Sequence, residues 1–149
     1  MIFRKATIDD INELSILRKQ QLIDEGGNPD ENDIDMELEN YFMENIGNNK
    51  FIAWLAIENN KILGTSGLCF YKLPPNFSNP SGDTAYITNM FTVKEYRRKG
   101  IAKILLEKII NEARLLNYKI LRLHSSDMGK TLYLKYGFIE SEGYMHLRI

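Results

Sequence analysis

The 149-residue chain contains one cysteine, two histidines and four prolines, and carries almost no net charge. A lone cysteine, Cys69, allows neither an internal disulfide nor a zinc site built from several thiolates. With only His124 and His146 besides, no metal centre is expected, and carboxylates alone remain for a hard cation. Nineteen Lys and Arg against twenty Asp and Glu leave −1, so the chain has no overall basic field for nucleic acid or an anionic membrane surface. The longest apolar run, Phe51-Ile52-Ala53-Trp54-Leu55-Ala56-Ile57, spans seven residues. A membrane-crossing helix needs about 20. Met1-Ile2-Phe3-Arg4-Lys5 meets charge at once and lacks the apolar segment of a signal peptide. These absences favour a reducing compartment, and the cytoplasm is the expected location.

What is present is ordinary globular composition, with 44% hydrophobic and 26% charged residues, enough for one domain over 1–149 with its own core. Met1–Ala6 reads as a strand. Thr7 followed by Asp9 and Asp10 is a helix start, and Ile8, Ile11, Leu14 and Leu17 continue at helical spacing to about Leu22. Gly26-Gly27-Asn28-Pro29 interrupts, and a second, acidic helix is expected over about 33–46. Two strands, 51–57 and 61–71, flank Asn59-Asn60 as a hairpin. A loop over 74–83 leads to a strand over 85–93, then a basic turn. The strongest helix follows, with Ile101, Leu105, Leu106, Ile109, Ile110 and Ala113 on one stripe. A short strand at 120–123, a helix at about 128–136 ending at Gly137, and strands at 138–140 and 144–149 complete the pattern. The order is β-α-α-β-β-β-α-β-α-β. It predicts a mixed α/β (α+β) fold: a central, mostly antiparallel sheet with helices on both faces and one parallel pair across the strand–helix–strand unit.

The chemistry is concentrated in Val93-Lys94-Glu95-Tyr96-Arg97-Arg98-Lys99-Gly100-Ile101-Ala102, between a strand and a helix. Unpaired amides and the dipole at a helix start attract anions. Gly100 and Ala102 leave room for a phosphate to reach the backbone, and Arg97, Arg98, Lys99 and Lys103 add positive charge. Ile101 stands where a nucleotide-triphosphate loop would need Lys, and no dinucleotide G-x-G-x-x-G pattern is present. Taken alone, the basic run is equally a solvated turn before a helix.

Arg97-x-x-Gly100-x-Ala102 resembles the R/Q-x-x-G-x-G/A signature of the GCN5-related N-acetyltransferases. Leu132-Tyr133-Leu134-Lys135-Tyr136-Gly137-Phe138, some thirty residues on, is similar to that family's L-Y-x-K-x-G-F motif, and the element order matches from end to end. The resemblance implies acetyl-CoA as co-substrate, with no metal. It implies that the strand before the loop splays from the next parallel strand, so that Phe91, Thr92 and Val93 meet the pantetheine arm, and that Arg97, Arg98, Lys99, Gly100, Ile101, Ala102 and Lys103 surround the pyrophosphate. Ser126 stands where relatives often have an Asn contacting coenzyme A. Tyr133 stands where the family places the acid that protonates the departing thiolate. A backbone N–H, that of Phe91, is expected to stabilise the oxyanion.

An amine of pKa near 10.4 is neutral about once in a few thousand molecules at pH 7, so its proton must be removed before attack. Relatives often supply a carboxylate from the strand before the loop. Here Thr88-Asn89-Met90-Phe91-Thr92 has none, and Asn89 or Thr88 is the candidate for orienting a water. His124 reads either as a base or as a structural histidine, and Cys69 reads as a core residue. The two N-terminal helices and the 72–83 loop are expected to wall the acceptor pocket. The leading expectation is acetyl transfer to a primary amine of a small molecule, amino acid or peptide. The alternatives are a coenzyme A-binding regulatory module and an interaction domain using the acidic second helix. Whether a second copy of the chain is a partner is left open.

Overall fold

A computed structural model describes all residues except Glu142 and Tyr144. Strand β1 (Ile2–Lys5) leads through a single 3₁₀ turn (Ile8–Asp10) into helix α1 (Ile11–Asp24). Asp10 organises this entry. Its carboxylate accepts from the Thr7 amide at 2.7 Å and from both Arg4 terminal nitrogens at 2.7 and 2.8 Å. Helix α2 (Asp35–Ile46) precedes the antiparallel strands β2 (Phe51–Glu58), β3 (Lys61–Lys72) and β4 (Asp83–Thr92). A second 3₁₀ turn (Lys94–Tyr96) is followed by α3 (Ile101–Leu115), β5 (Leu121–Leu123) and α4 (Asp127–Tyr136). The sheet order is β1-β2-β3-β4-β5, and only β4 and β5 run parallel.

The apolar run of β2 shows why both sheet faces are covered. Phe51, Ala53 and Leu55 pack with Ile11, Leu14 and Phe42 of α1 and α2. Ile52 and Trp54 point the other way, into the cluster of Leu106, Ile109 and Ala113 on α3, and Ala56 meets Ile101 and Leu105. Side chains alternate along a strand, so a run apolar at every position belongs between two helical layers. The expected turn at Asn59-Asn60 has φ of +51° and +57° at its two residues, the type I′ geometry that suits a two-residue hairpin.

Two expectations are corrected. No strand occurs at 138–140 or 145–149 among the described residues, and Tyr144 lies outside them. Ile139, Met145 and Leu147 are 85–95% exposed, so their apolar character is not used to cover a sheet face. The strand expected at 120–123 is three residues long, although the Ile120 carbonyl still accepts from the Ala85 amide at 3.0 Å. Among the described residues no helix is long and apolar enough to cross a membrane.

Candidate active site

The site begins with an irregularity in β4. Thr65 pairs with Phe91 but Gly67 pairs with Thr88, so β4 carries one extra residue against β3. Asn89 absorbs it with φ of +51°, and its carbonyl accepts from Thr65 Oγ1 at 2.7 Å. Gly67 makes this possible by having no side chain. A Cβ there would lie 2.5 Å from the Phe51 ring and 3.2 Å from Asn89 Cβ.

The bulge reverses which β4 residues face the open edge. Ahead of it, Ala85 points toward β5 through its bond to Ile120. Beyond it, the Val93 amide donates to the Leu63 carbonyl on the β3 side at 2.9 Å. By strand alternation Met90 and Thr92, rather than Phe91 and Val93, turn their backbones outward. The Thr92 carbonyl accordingly accepts from Arg97 Nε at 2.9 Å rather than from a strand. Parallel pairing with β5 stops at Ile87–Leu123, leaving Thr88–Thr92 without a strand on that side. The gap opens into a cleft of about 860 Å³.

One end of the cleft is the turn before α3. Among the described residues, no acceptor takes the amides of residues 98–103, and the first bond of the helix runs from Ile104 to the Gly100 carbonyl. Gly100 has φ of +83°, and a Cβ on it would meet nothing within 4 Å. Arg98 also has positive φ, +62°. Successive amides therefore face open space at a helix N-terminus, where an anion is favoured. The Arg98, Lys99 and Lys103 side chains are exposed around it. Lys99 Nζ lies 4.7 Å from the Tyr96 ring centre, and Lys103 lies 3.9 Å from Glu107. Arg97 is engaged differently: its guanidinium pairs with Asp24 of α1, approaches Met128 Sδ at 3.4 Å and lies 5.7 Å from the Phe91 ring centre. Hydrogen bonds from Gln20 and then Arg97 hold the Asp24 carboxyl below its ordinary value.

The opposite wall is α4. Ser126 caps it, its Oγ accepting from the Gly129 amide at 3.3 Å, so this hydroxyl serves the helix. Tyr133 is 8% exposed, with its ring edge-on to Phe138 at 5.8 Å. Gly129, one turn earlier, leaves space for that ring, since a Cβ there would lie 3.0 Å from it. Burial, aided by the charge of Glu25 and by Tyr86, pushes the Tyr133 phenol up to about 12. It is therefore a proton-bearing donor throughout the physiological range, and no hydrogen bond joins it to another described residue.

The cleft brings together Asn89, Phe91, Thr92, Arg97, Arg98, Gly100, Ile101, Ala102, Lys103, Ser126 and Tyr133 from the sequence-derived set, and His124 lines it as well. Val93 and Lys99 do not line it. Cys69 is half-buried, its Sγ 3.7 Å from the Tyr86 carbonyl, and burial raises its thiol pKa. Neither α2 nor the 72–83 loop contributes a lining residue. Of those expected walls only α1 lines the cleft, through Arg18, Gln21, Asp24 and its C-cap Glu25, residues that the sequence did not single out. Two buried polar atoms of residues that line the cleft, Gln21 Oε1 and Thr92 Oγ1, have no hydrogen-bond partner among the described residues. Among the described residues no group of three or more side chains is arranged to hold a metal ion.

Residues 14–138 match the sequence model of the acetyltransferase (GNAT) family. No curated protein matches the chain. Among solved structures, a predicted acetyltransferase with acetyl-CoA from Clostridium acetobutylicum is 41% identical, with 99% of this chain and 95% of that one covered and a TM-score of 0.94. A GCN5-related N-acetyltransferase from Ralstonia eutropha JMP134 shares the fold at 20% identity, with 99% and 97% coverage and a TM-score of 0.92. Glucosamine-6-phosphate N-acetyltransferase from Arabidopsis thaliana does so at 19% identity, 99% and 97% coverage and a TM-score of 0.75. The family match runs from within α1 to just past α4, across every wall of the cleft, and the protein belongs to the acetyltransferase (GNAT) family.

Proposed function

We propose that the chain, as one domain over 1–149, is a cytoplasmic N-acetyltransferase. It transfers the acetyl group of acetyl-CoA to a primary amine of a small molecule, amino acid or peptide by direct attack. The observation that carries this reading is the meeting of two unsatisfied backbone surfaces in one cleft: the open edge of β4 and the amides of 98–103. An extended amide-bearing arm ending in a diphosphate fits both.

When bound, the thioester supplies an activated acetyl carbonyl and a thiol leaving group. The amides of 98–103 and the α3 dipole hold the diphosphate, and Arg98, Lys99 and Lys103 attract it. Arg97 braces the loop against α1 and β4. The outward backbone groups of Met90 and Thr92 pair with the arm as an added strand would. As the new C–N bond forms and the C–S bond breaks, the Tyr133 phenol donates to the departing sulfur. The proton lost by the amine leaves through water held near Thr88 and Asn89, where Thr88 Oγ1 donates to Asn89 Oδ1 at 3.3 Å.

Calorimetry with coenzyme A, paired with thiol release from acetyl-CoA over a panel of amine classes, tests the reading. Tight binding and release with at least one class are expected. Failure of coenzyme A to bind would overturn it. Binding without turnover for every class would select the regulatory alternative, which the lack of a carboxylate over Thr88–Thr92 favours.

A further inference from the structure

Arg18, Gln21 and Glu25 lie at i, i+3 and i+7 on α1 and its cap, and all three line the cleft. At 1.5 Å per residue, the first and last are about 10 Å apart along the axis. They form a graded polar row on a surface no motif claims. Arg18 is half-buried and makes no hydrogen bond or ion pair with any described residue. Its neighbours by charge are Glu25, Tyr86 and Tyr41, and burial lowers its pKa. A partly desolvated guanidinium without an acceptor is costly, and an anion would complete it. Gln21 is 6% exposed; its Nε2 donates to Glu25 Oε1 at 2.9 Å while its own Oε1 has no partner. The remaining Glu25 carboxylate oxygen is an acceptor only, which suits an ammonium or amine N–H, and the buried Gln21 side chain holds that carboxylate in place. Asp24, between them, is already taken by Arg97.

We infer that this row is the acceptor subsite, and that the acceptor is a primary amine bearing an anionic group, with its amine at Glu25, which Gln21 positions, and its anion at Arg18. The orientation follows from the other wall. Glu25 is close enough to act electrostatically on Tyr133, so the amine end lies beside the phenol assigned to the leaving sulfur, and the anionic end lies at Arg18, two turns earlier on α1. The inference rests on the acetyltransferase reading for its chemistry.

Three acceptors of similar length test it: 4-aminobutanoate, 3-aminopropylphosphonate and butylamine. At least one anionic acceptor should exceed butylamine in kcat/KM by tenfold or more, and the better of the two identifies the anion as carboxylate or phosphate. Arg18→Met should raise the KM of that acceptor roughly 10–100-fold, the range of one lost charged hydrogen bond, and erase the preference. Its melting temperature should not fall, since a costly unpaired charge is removed, and its coenzyme A affinity should not move. Arg18→Glu should shift preference to 1,4-diaminobutane. Equal wild-type activity on butylamine and both anionic acceptors, or an equal loss on all three in Arg18→Met, would overturn the inference. If coenzyme A binds but no amine is acetylated, the parent reading fails by itself. Calorimetric binding of the anionic amines to the coenzyme A complex then decides the subsite, and its absence overturns it.

Discussion

Replacing Tyr133 with Phe removes one oxygen from a ring that is otherwise held in place. The edge-on contact with Phe138 and the space left by Gly129 depend on the ring, and the hydroxyl makes no hydrogen bond within the described protein. At neutral pH the variant should therefore melt within a degree or two of the parent, because no buried partner is orphaned. The effect on turnover follows from the phenol pKa of about 12. An ordinary thiol has a pKa near 8.5, so complete proton transfer from Tyr133 to a thiolate would be uphill by about 5 kcal/mol. Tyr133 is better suited to donating a strong hydrogen bond while the charge develops, and the true proton follows from water. A hydrogen bond to a charged group contributes about 1.5–3 kcal/mol, so kcat should fall about 10²-fold, at the low end of general acid effects, with coenzyme A affinity unchanged. A second readout uses alkali. The folded phenol stays protonated past the unfolded value near 10, so its contribution is complete below pH 10 and is lost as pH rises toward 12. The parent should lose up to about 3 kcal/mol more stability than Tyr133→Phe across that window. Near-normal kcat in a folded variant would refute the sulfur-donor role. Parallel alkaline unfolding curves would refute the burial argument itself.

Gly100→Val should cost about 1–2 kcal/mol through its positive φ alone and lower the melting temperature by several degrees, while coenzyme A affinity drops at least tenfold; unchanged affinity would remove the turn from the site. Coenzyme A affinity should weaken steadily with added salt, and dephospho-coenzyme A should bind less tightly if Arg98, Lys99 or Lys103 reads the 3′-phosphate. Asp10→Asn should destabilise by about 1.5–3 kcal/mol at neutral pH in a thermal melt, because it removes the carboxylate that accepts from both Arg4 nitrogens. Arg4 first, then the Thr7 backbone bond, hold the Asp10 carboxyl below its ordinary value, so its contribution is present above the usual carboxylate range and is lost as pH falls through the depressed value. The variant and parent should therefore converge in acid.

The α3 stripe, the Asn-Asn hairpin and the two-sided β2 run were legible because periodicity and turn chemistry are local properties. The turn before α3 was legible because it joins a glycine to a helix start. The bulge was not: Asn89 looks like any strand Asn, and only Gly67, more than twenty residues away, signals that its neighbour needs room. Missing it moved the outward backbone by one residue, from Phe91 and Val93 to Met90 and Thr92. The polar row on α1 was hidden for a related reason. Gln21 is buried against the cleft rather than the core, and helical periodicity counts only apolar positions. The alternation near the C-terminus suggested strands, but among the described residues no strand there supplies the hydrogen bonds.

The three-residue parallel ladder also bears on the order in which the molecule assembles. β2, β3 and β4 follow one another directly and pair over nearly their whole lengths, so they close through short loops. β5 must wait for the α3 crossover before its ladder to β4, from Ala85–Leu121 to Ile87–Leu123, can form. The entropy of closing that crossover comes on top of the hairpins, which places β5 docking after β2–β4 in folding. The cleft exists only while β5 and α4 are docked. Coenzyme A, by bridging both sides of the gap, should slow amide exchange in β5 more than in β2, which is remote from the cleft.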